Sequence, residues 1–332
     1  MSDAIKRIFP LGFPWETEDP FLFCVYHLDH YPKGNEQMEP AVSLEGRNLG
    51  NDFTIKDGWR MYHGQTVPGF PYHPHRGFET ITIVNKGFCD HSDSLGAAGR
   101  FGLGDVQWMT AGRGVQHSEM FPLLNTQADN PLELFQIWLN LPKADKFVDP
   151  HFKMLWHEDI PVIKQEEAEI KIIAGNFSNN IAPSPAPNSW ANNPENEVAV
   201  WNIHLEPNGS LTLPPAGAGL SRVLYYYEGD EVVIEGKTIQ PNHGVSLVSE
   251  AAVKLVNGKL KSHFLILQGK SINEPIAKYG PFVMNTQQEI QQAMEEYRLT
   301  QFGGWPWPHA DNVHDRNKGR FAKYPNGDLI EK

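Results

Sequence analysis

Residues 73–87 read HPHRGFETITIVNKG. Two histidines stand one residue apart, a β-branched run follows, and a glycine closes the stretch. Side chains at i and i+2 of a strand point to the same face, so His73 and His75 project together. Further on, GVQHSEM (114–120) repeats the arrangement with His117 and Glu119, after a glycine-rich AGRG turn (111–114). Glycine supplies the positive φ that such a tight connection needs. If the two strand pairs face one another inside a barrel, three imidazoles and one carboxylate converge. That donor set suits a first-row divalent metal and leaves about two octahedral positions open for water, O2 or substrate. An isolated His-x-His is more often structural than ligating. The second pair at the same strand parity turns the reading toward a metal site. His91 and Asp93 have the same spacing but sit beside a turn, and read as surface residues.

Outward from this stretch, short alternating runs dominate. TITIV (80–84), GDVQWMT (104–110), GVQHSEM (114–120) and LELFQIWLNL (132–141) read as strands at period two, with DSLGAAGRFGLG (93–104) and TAGRG (110–114) as turns. A polar stretch (157–172) and an Asn/Pro-rich segment (176–197) follow. The latter has too little apolar content for a core and reads as an exposed insertion. A second strand series comprises VAVWNIHLEP (198–207), RVLYYYEG (222–229), EVVIEG (231–236), GVSLV (244–248), AVKLV (252–256) and SHFLILQG (262–269). TITIVNKGFCD in the first series resembles VLYYYEGDEVV in the second, a weak internal repeat. The 29 glycines and 26 prolines are spread between the runs rather than gathered in a linker, which favours an all-β fold of sandwiches or small barrels. Thr286 and Glu289 form a capping box for one helix whose stripe is Ile290, Met294 and Tyr297. An aromatic, then polar tail reads as packing over the surface. The expected division is 1–157, 158–285, and a helix and tail over 286–332.

The formal charge of −12 disfavours a phosphate backbone or an anionic lipid surface as partner. A neutral organic substrate or a protein partner fits better. Cys24 and Cys89 do not make a disulfide framework in a chain of this size. The N-terminus is broken by prolines and acids, and no segment reaches about 18 apolar residues. These features read as a soluble cytoplasmic protein, with no direct nucleic-acid or membrane partner.

HPHRGFETIT (73–82), DSLGAAG (93–99), GDVQWMTAGRGVQHSEM (104–120) and QIWLNLP (136–142) closely resemble the pirin family of the cupin superfamily. YYYEGD (225–230), HFLILQGKSINEP (263–275) and YGPFVMNT (279–286) resemble the second half of the same family, so the similarity covers most of residues 20–290. The resemblance implies a bicupin: two antiparallel, jelly-roll-like β-barrels packed together, with one metal in the N-terminal barrel. It implies His73, His75, His117 and Glu119 as ligands and Fe(II) as the usual ion, although Mn, Ni, Cu and Zn suit the same donors. Glu79 stands where many other cupins place a ligating glutamate, whereas the pirin pattern takes its carboxylate from the second motif. Gly112, where the general cupin motif has proline, is also pirin-like. The C-terminal barrel lacks both histidine motifs, and His204, His243 and His263 are too scattered to rebuild a site.

The resemblance further implies a quercetin 2,3-dioxygenase type of reaction, in which O2 opens the heterocycle of a planar phenolic flavonol bound through its 3-hydroxyl. Glu119 is the expected base and Glu79 its reserve. Val115 and Phe121 share the parity of the site and read equally as pocket wall or core. Gln107 or Trp108, but not both, can approach the metal to support a histidine. The contrasting expectation is an iron-bearing redox sensor that binds protein partners through a surface including Arg76, Lys86 and Arg113.

Overall fold

In a computed structural model, which describes residues 4–332, the 73–87 stretch lies in two antiparallel sheets that face each other. His73 and His75 end the Gly69–His75 strand. Gly77, at φ +88°, then reverses the chain into the Phe78–Lys86 strand. A Cβ at Gly77 would lie 2.0 Å from the Val283 carbonyl oxygen, so only glycine fits there.

The chain divides into two compact units. One comprises residues 26–136, 143–157 and 274–332, and the other residues 1–25, 137–142 and 158–273. The first contains the histidine pairs. Its five-stranded sheet runs His151–Leu155, Val106–Thr110, Phe78–Lys86, Asn130–Asn140, Phe21–Tyr31. The facing sheet runs Leu329–Glu331, Phe321–Lys323, Ala98–Gly102, Phe88–Asp93, Val115–Met120, Gly69–His75. Val84, Cys89, Phe101, Leu134, Phe152 and Met154 fill the space between them. The second unit pairs a seven-stranded sheet with a four-stranded one, around Trp201, Ile203, Leu224, Tyr226, Phe264 and Ile266. The fold is thus all-β with two cupin domains and, among the described residues, one α-helix. No helix among the described residues is long and apolar enough to cross a membrane.

Most expected strands are present, and the departures have physical causes. DSLGAAGRFGLG is not wholly a turn: Ala98–Gly102 is a fully buried strand, kept in the sheet because Arg100 is ion-paired to Asp90 at 2.7 Å. The polar 157–172 stretch carries the Val162–Lys164 strand and the start of Ala168–Ala174. The 176–197 segment is mainly exposed, yet Phe177 enters the core and Ala186, Ser189 and Asn196 are buried. Ile5–Pro10 pairs with His243–Leu247, far along the chain.

The Gln287–Thr300 helix starts at the expected box: the Thr286 hydroxyl accepts from Glu289 N, and Glu289 accepts from Thr286 N. Its buried stripe is Ile290 and Ala293 with Tyr297 partly covered, whereas Met294 faces solvent. Arg76 is no surface residue either. It is buried against Glu296 at 2.8 Å and stacks on Phe302, while Lys86 and Arg113 are exposed and paired with Glu133 and Asp149.

Candidate metal centre

The Gly69–His75 and Val115–Met120 strands are antiparallel neighbours in which His73 lies opposite His117 and His75 opposite Val115. A register irregularity between Phe70 and His73 sets this alignment. The three imidazoles therefore face one cavity, with ring centroids 4.6–4.8 Å apart. One nitrogen from each lies within 4.8 Å of the others. His75 and His117 are buried and His73 is the most accessible. Desolvation holds His73 down to about 4, and His75 and His117 well below the usual imidazole range. Neutral rings offer lone pairs, the form a metal requires.

Hydrogen bonding fixes the orientation. His73 Nδ1 lies 2.9 Å from the Pro71 carbonyl and donates to it, leaving Nε2 as the lone-pair atom. Neither nitrogen of His117 has a hydrogen-bond partner among the described residues, although the ring is fully buried. A buried imidazole in that state is destabilising by roughly 1–3 kcal/mol unless something else engages it. The donor set thus fits a divalent ion on grounds of tautomer, burial and orphaned nitrogen.

Glu119 Oε2 lies 3.8 Å from His117 Nε2. Its carboxyl is buried and closes a polar ring across the two sheets. Thr82 Oγ1 is 2.8 Å from Glu119 Oε1 and 2.6 Å from Gln136 Oε1, while Gln136 Nε2 donates to Glu119 Oε2 at 2.7 Å. One hydroxyl proton is shared between two acceptors here. Burial raises the carboxyl above its ordinary range, against the pull of the Thr82 and Gln136 donors.

The structure does not bring Glu79 to the histidines. It alternates with Phe78, Thr80 and Thr82, so it points to the opposite face of its strand, where it accepts from Thr110 Oγ1 (2.8 Å) and Trp108 Nε1 (3.2 Å). Gln107 pairs with Thr82 across the sheet and shares its face. Both ends of its buried amide, and the Thr80 hydroxyl, lack partners among the described residues. Val115 packs with Met109 and Ala111, and Phe121 with Tyr62 and Phe70.

His91 and Asp93, expected at the surface, are fully buried. They lie opposite Glu119 and His117 on the adjoining strand, His91 Nε2 is 3.2 Å from Asp93 Oδ2, and Phe152 stacks on the His91 ring at 4.9 Å. The tail covers this strand from outside: Trp307 Nε1 donates to the Asp93 carbonyl, His314 Nε2 to the His91 carbonyl, and Asn312 Nδ2 to Ser92 Oγ. Their i, i+2 spacing, shared with the other two pairs, is the one local signal that points toward the same cavity.

Two family profiles match the chain, one described as Pirin over residues 34–139 and one as Pirin C-terminal cupin domain over 200–303. Human pirin is 32% identical over 280 residues, 81% of this chain and 91% of its own length. A Pseudomonas aeruginosa protein provisionally named quercetin 2,3-dioxygenase is 36% identical over 241 residues, covering 70% of this chain and 79% of the relative. Among solved structures, a quercetin 2,3-dioxygenase from Acinetobacter baumannii superposes with a TM-score of 0.70 at 26% identity, over 91% of this chain and 98% of that one.

Proposed function

The chain belongs to the pirin family, and from that premise we propose that it is a metal-dependent dioxygenase of the quercetin 2,3-dioxygenase type. His73, His75, His117 and Glu119 hold one divalent ion, Fe(II) by preference, and a flavonol and O2 are the substrates. The orphaned, fully buried His117 between two neutral histidines is the observation that carries this reading. A bound ion of this kind supplies Lewis acidity toward substrate oxygens and a redox route to O2.

The chain's own groups do the rest. Glu119 accepts the proton of the flavonol 3-hydroxyl, with Thr82 and Gln136 holding its two oxygens in place. The unpartnered Gln107 amide and Thr80 hydroxyl, on the face that carries Thr82, hydrogen-bond the polar substituents of a planar phenol. Phe78, whose ring is 5.1 Å from His75, shields the far side from water. Glu79 orients Trp108 and Thr110 and takes no part in proton transfer. The test is metal analysis of the purified protein together with quercetin absorbance under air. Stoichiometric metal and quercetin loss that vanishes in His73→Ala and His117→Ala is expected. Metal-replete protein that turns over no flavonol would overturn the proposal.

A further inference from the structure

In the C-terminal cupin domain His204 and His263, expected to be scattered, face each other across neighbouring strands with ring centroids 4.3 Å apart, but no trio of histidines forms there among the described residues; the domain does bury a charge. Arg222 lies on the Ser221–Glu228 strand, on the same face as the core residues Leu224 and Tyr226, and is 0% exposed. Its Nη1 donates to the carbonyls of Pro214 (2.8 Å) and Ser249 (3.3 Å). Its Nε and Nη2 find no acceptor among the described residues. Those two N–H groups form one edge of the guanidinium fork, the edge that takes two oxygens of one anion side by side. Glu197 and Glu250 are engaged by Gly217 N and the Ser249 hydroxyl. A buried guanidinium without a counter-ion is strongly destabilising. Burial lowers its pKa to about 10, which still leaves it charged at neutral pH.

Two neighbours share the condition. Gln268 is the cross-strand partner of Arg222; its Nε2 donates to the Glu197 carbonyl at 3.2 Å, and its Oε1 is buried without a partner. The Trp201 ring centroid lies 5.9 Å from the guanidinium carbon, and its indole N–H is likewise buried and unmatched. Three donors and one acceptor are therefore unmatched at one end of this domain. The position is also telling. Aligning the glycines that follow the two strands, Gly87 with Gly229, pairs Arg222 with Thr80, Pro215 with His73 and Gly217 with His75. The segment that carries the histidines in one domain is PPAGAG (214–219) in the other, with no side chain larger than proline.

We propose that Arg222 anchors a second, metal-free binding site in the C-terminal cupin domain, for a small hydroxycarboxylate. The carboxylate lies on the Nε/Nη2 edge, and a hydroxyl donates to Gln268 Oε1. A single buried cation neutralises a monoanion and leaves a dianionic phosphate only partly compensated. The apolar surroundings, Trp201 and Leu224 among them, suit an organic body.

The test is a calorimetric titration of the full-length protein with sodium lactate, acetate and inorganic phosphate, at ionic strength held constant with chloride. Lactate binds saturably, more tightly than acetate or phosphate, and equally in chelator-stripped and metal-loaded protein. That last comparison separates this site from the metal centre. Affinity falls at least about tenfold in Arg222→Lys, which keeps the charge and loses the fork. Should that variant not fold, the Arg222 Nε–H resonance of the wild-type protein reports instead, and lactate shifts it. Absence of saturable binding, tighter binding of phosphate, equal affinity in Arg222→Lys, or a stationary Nε–H signal would each overturn the assignment.

Discussion

Replacing Thr82 by valine removes one hydroxyl and almost no volume. In the wild-type protein that hydroxyl lies 2.8 Å from Glu119 Oε1 and 2.6 Å from Gln136 Oε1. The variant leaves both oxygens facing a methyl group. A buried polar atom without a partner costs about 1–3 kcal/mol. Glu119 is nearly fully buried and takes most of that penalty, while Gln136 is half-buried and takes less. The metal-free protein should lose roughly 2–4 kcal/mol of stability. The same contact holds the carboxylate beside His117, and loss of such a support weakens metal binding by about 10–100-fold. Urea unfolding in the presence of chelator measures the first effect, and competition against a chelator of known affinity measures the second. If stability changes by less than about 0.5 kcal/mol, the level of an ordinary surface substitution, and metal affinity stays within twofold, the Thr82–Glu119–Gln136 ring does not do what its geometry implies.

Arg100 is a second point of leverage: its guanidinium is fully buried, paired side-on with Asp90 through Nε and Nη2, and donates to the carbonyls of His314, Asp315 and Lys318. Arg100→Met leaves the Asp90 carboxylate buried and unpaired and should destabilise by about 3–5 kcal/mol; limited proteolysis should then cut within 304–320 well before the rest of the chain, and an unchanged digestion pattern would refute the role. Acid sensitivity follows from the buried histidines. Desolvation and the neighbouring Arg60 hold His27 down to about 3, and desolvation holds His73 at about 4, so below about pH 6.5 the unfolded chain takes up protons that the folded one refuses. Stability of the metal-free protein should fall as pH drops from about 6.5 toward 4, by about 1.4 kcal/mol per pH unit for each such histidine. Urea midpoints measured across that range should flatten in His27→Gln, and identical slopes in the two proteins would contradict the assignment.

The parity rule made the centre legible. His73, His75, His117 and Glu119 are separated by chain but each pair is i, i+2 on a strand, and cross-strand register brings the pairs together. The same rule, applied from Phe78, sends Thr82 inward and Glu79 outward, yet a carboxylate four residues beyond His75 draws notice on chemistry alone. His91 and Asp93 look like turn residues locally. Their burial is made by Phe152 and by tail residues more than two hundred positions away, which local pattern cannot supply. Met294 lost its place in the helix stripe to Ala293 because the helix packs closely enough on Phe282 and Phe302 to favour the smaller side chain. Pairing of Ile5–Pro10 with His243–Leu247 likewise leaves no local trace.

The most direct measurement is anomalous diffraction at the iron edge from crystals of iron-loaded protein. The account predicts one strong peak within bonding distance of His73, His75, His117 and Glu119, about 2.0–2.2 Å from each donor atom. A peak elsewhere, or no peak between those four side chains in protein that retains iron in solution, would contradict it.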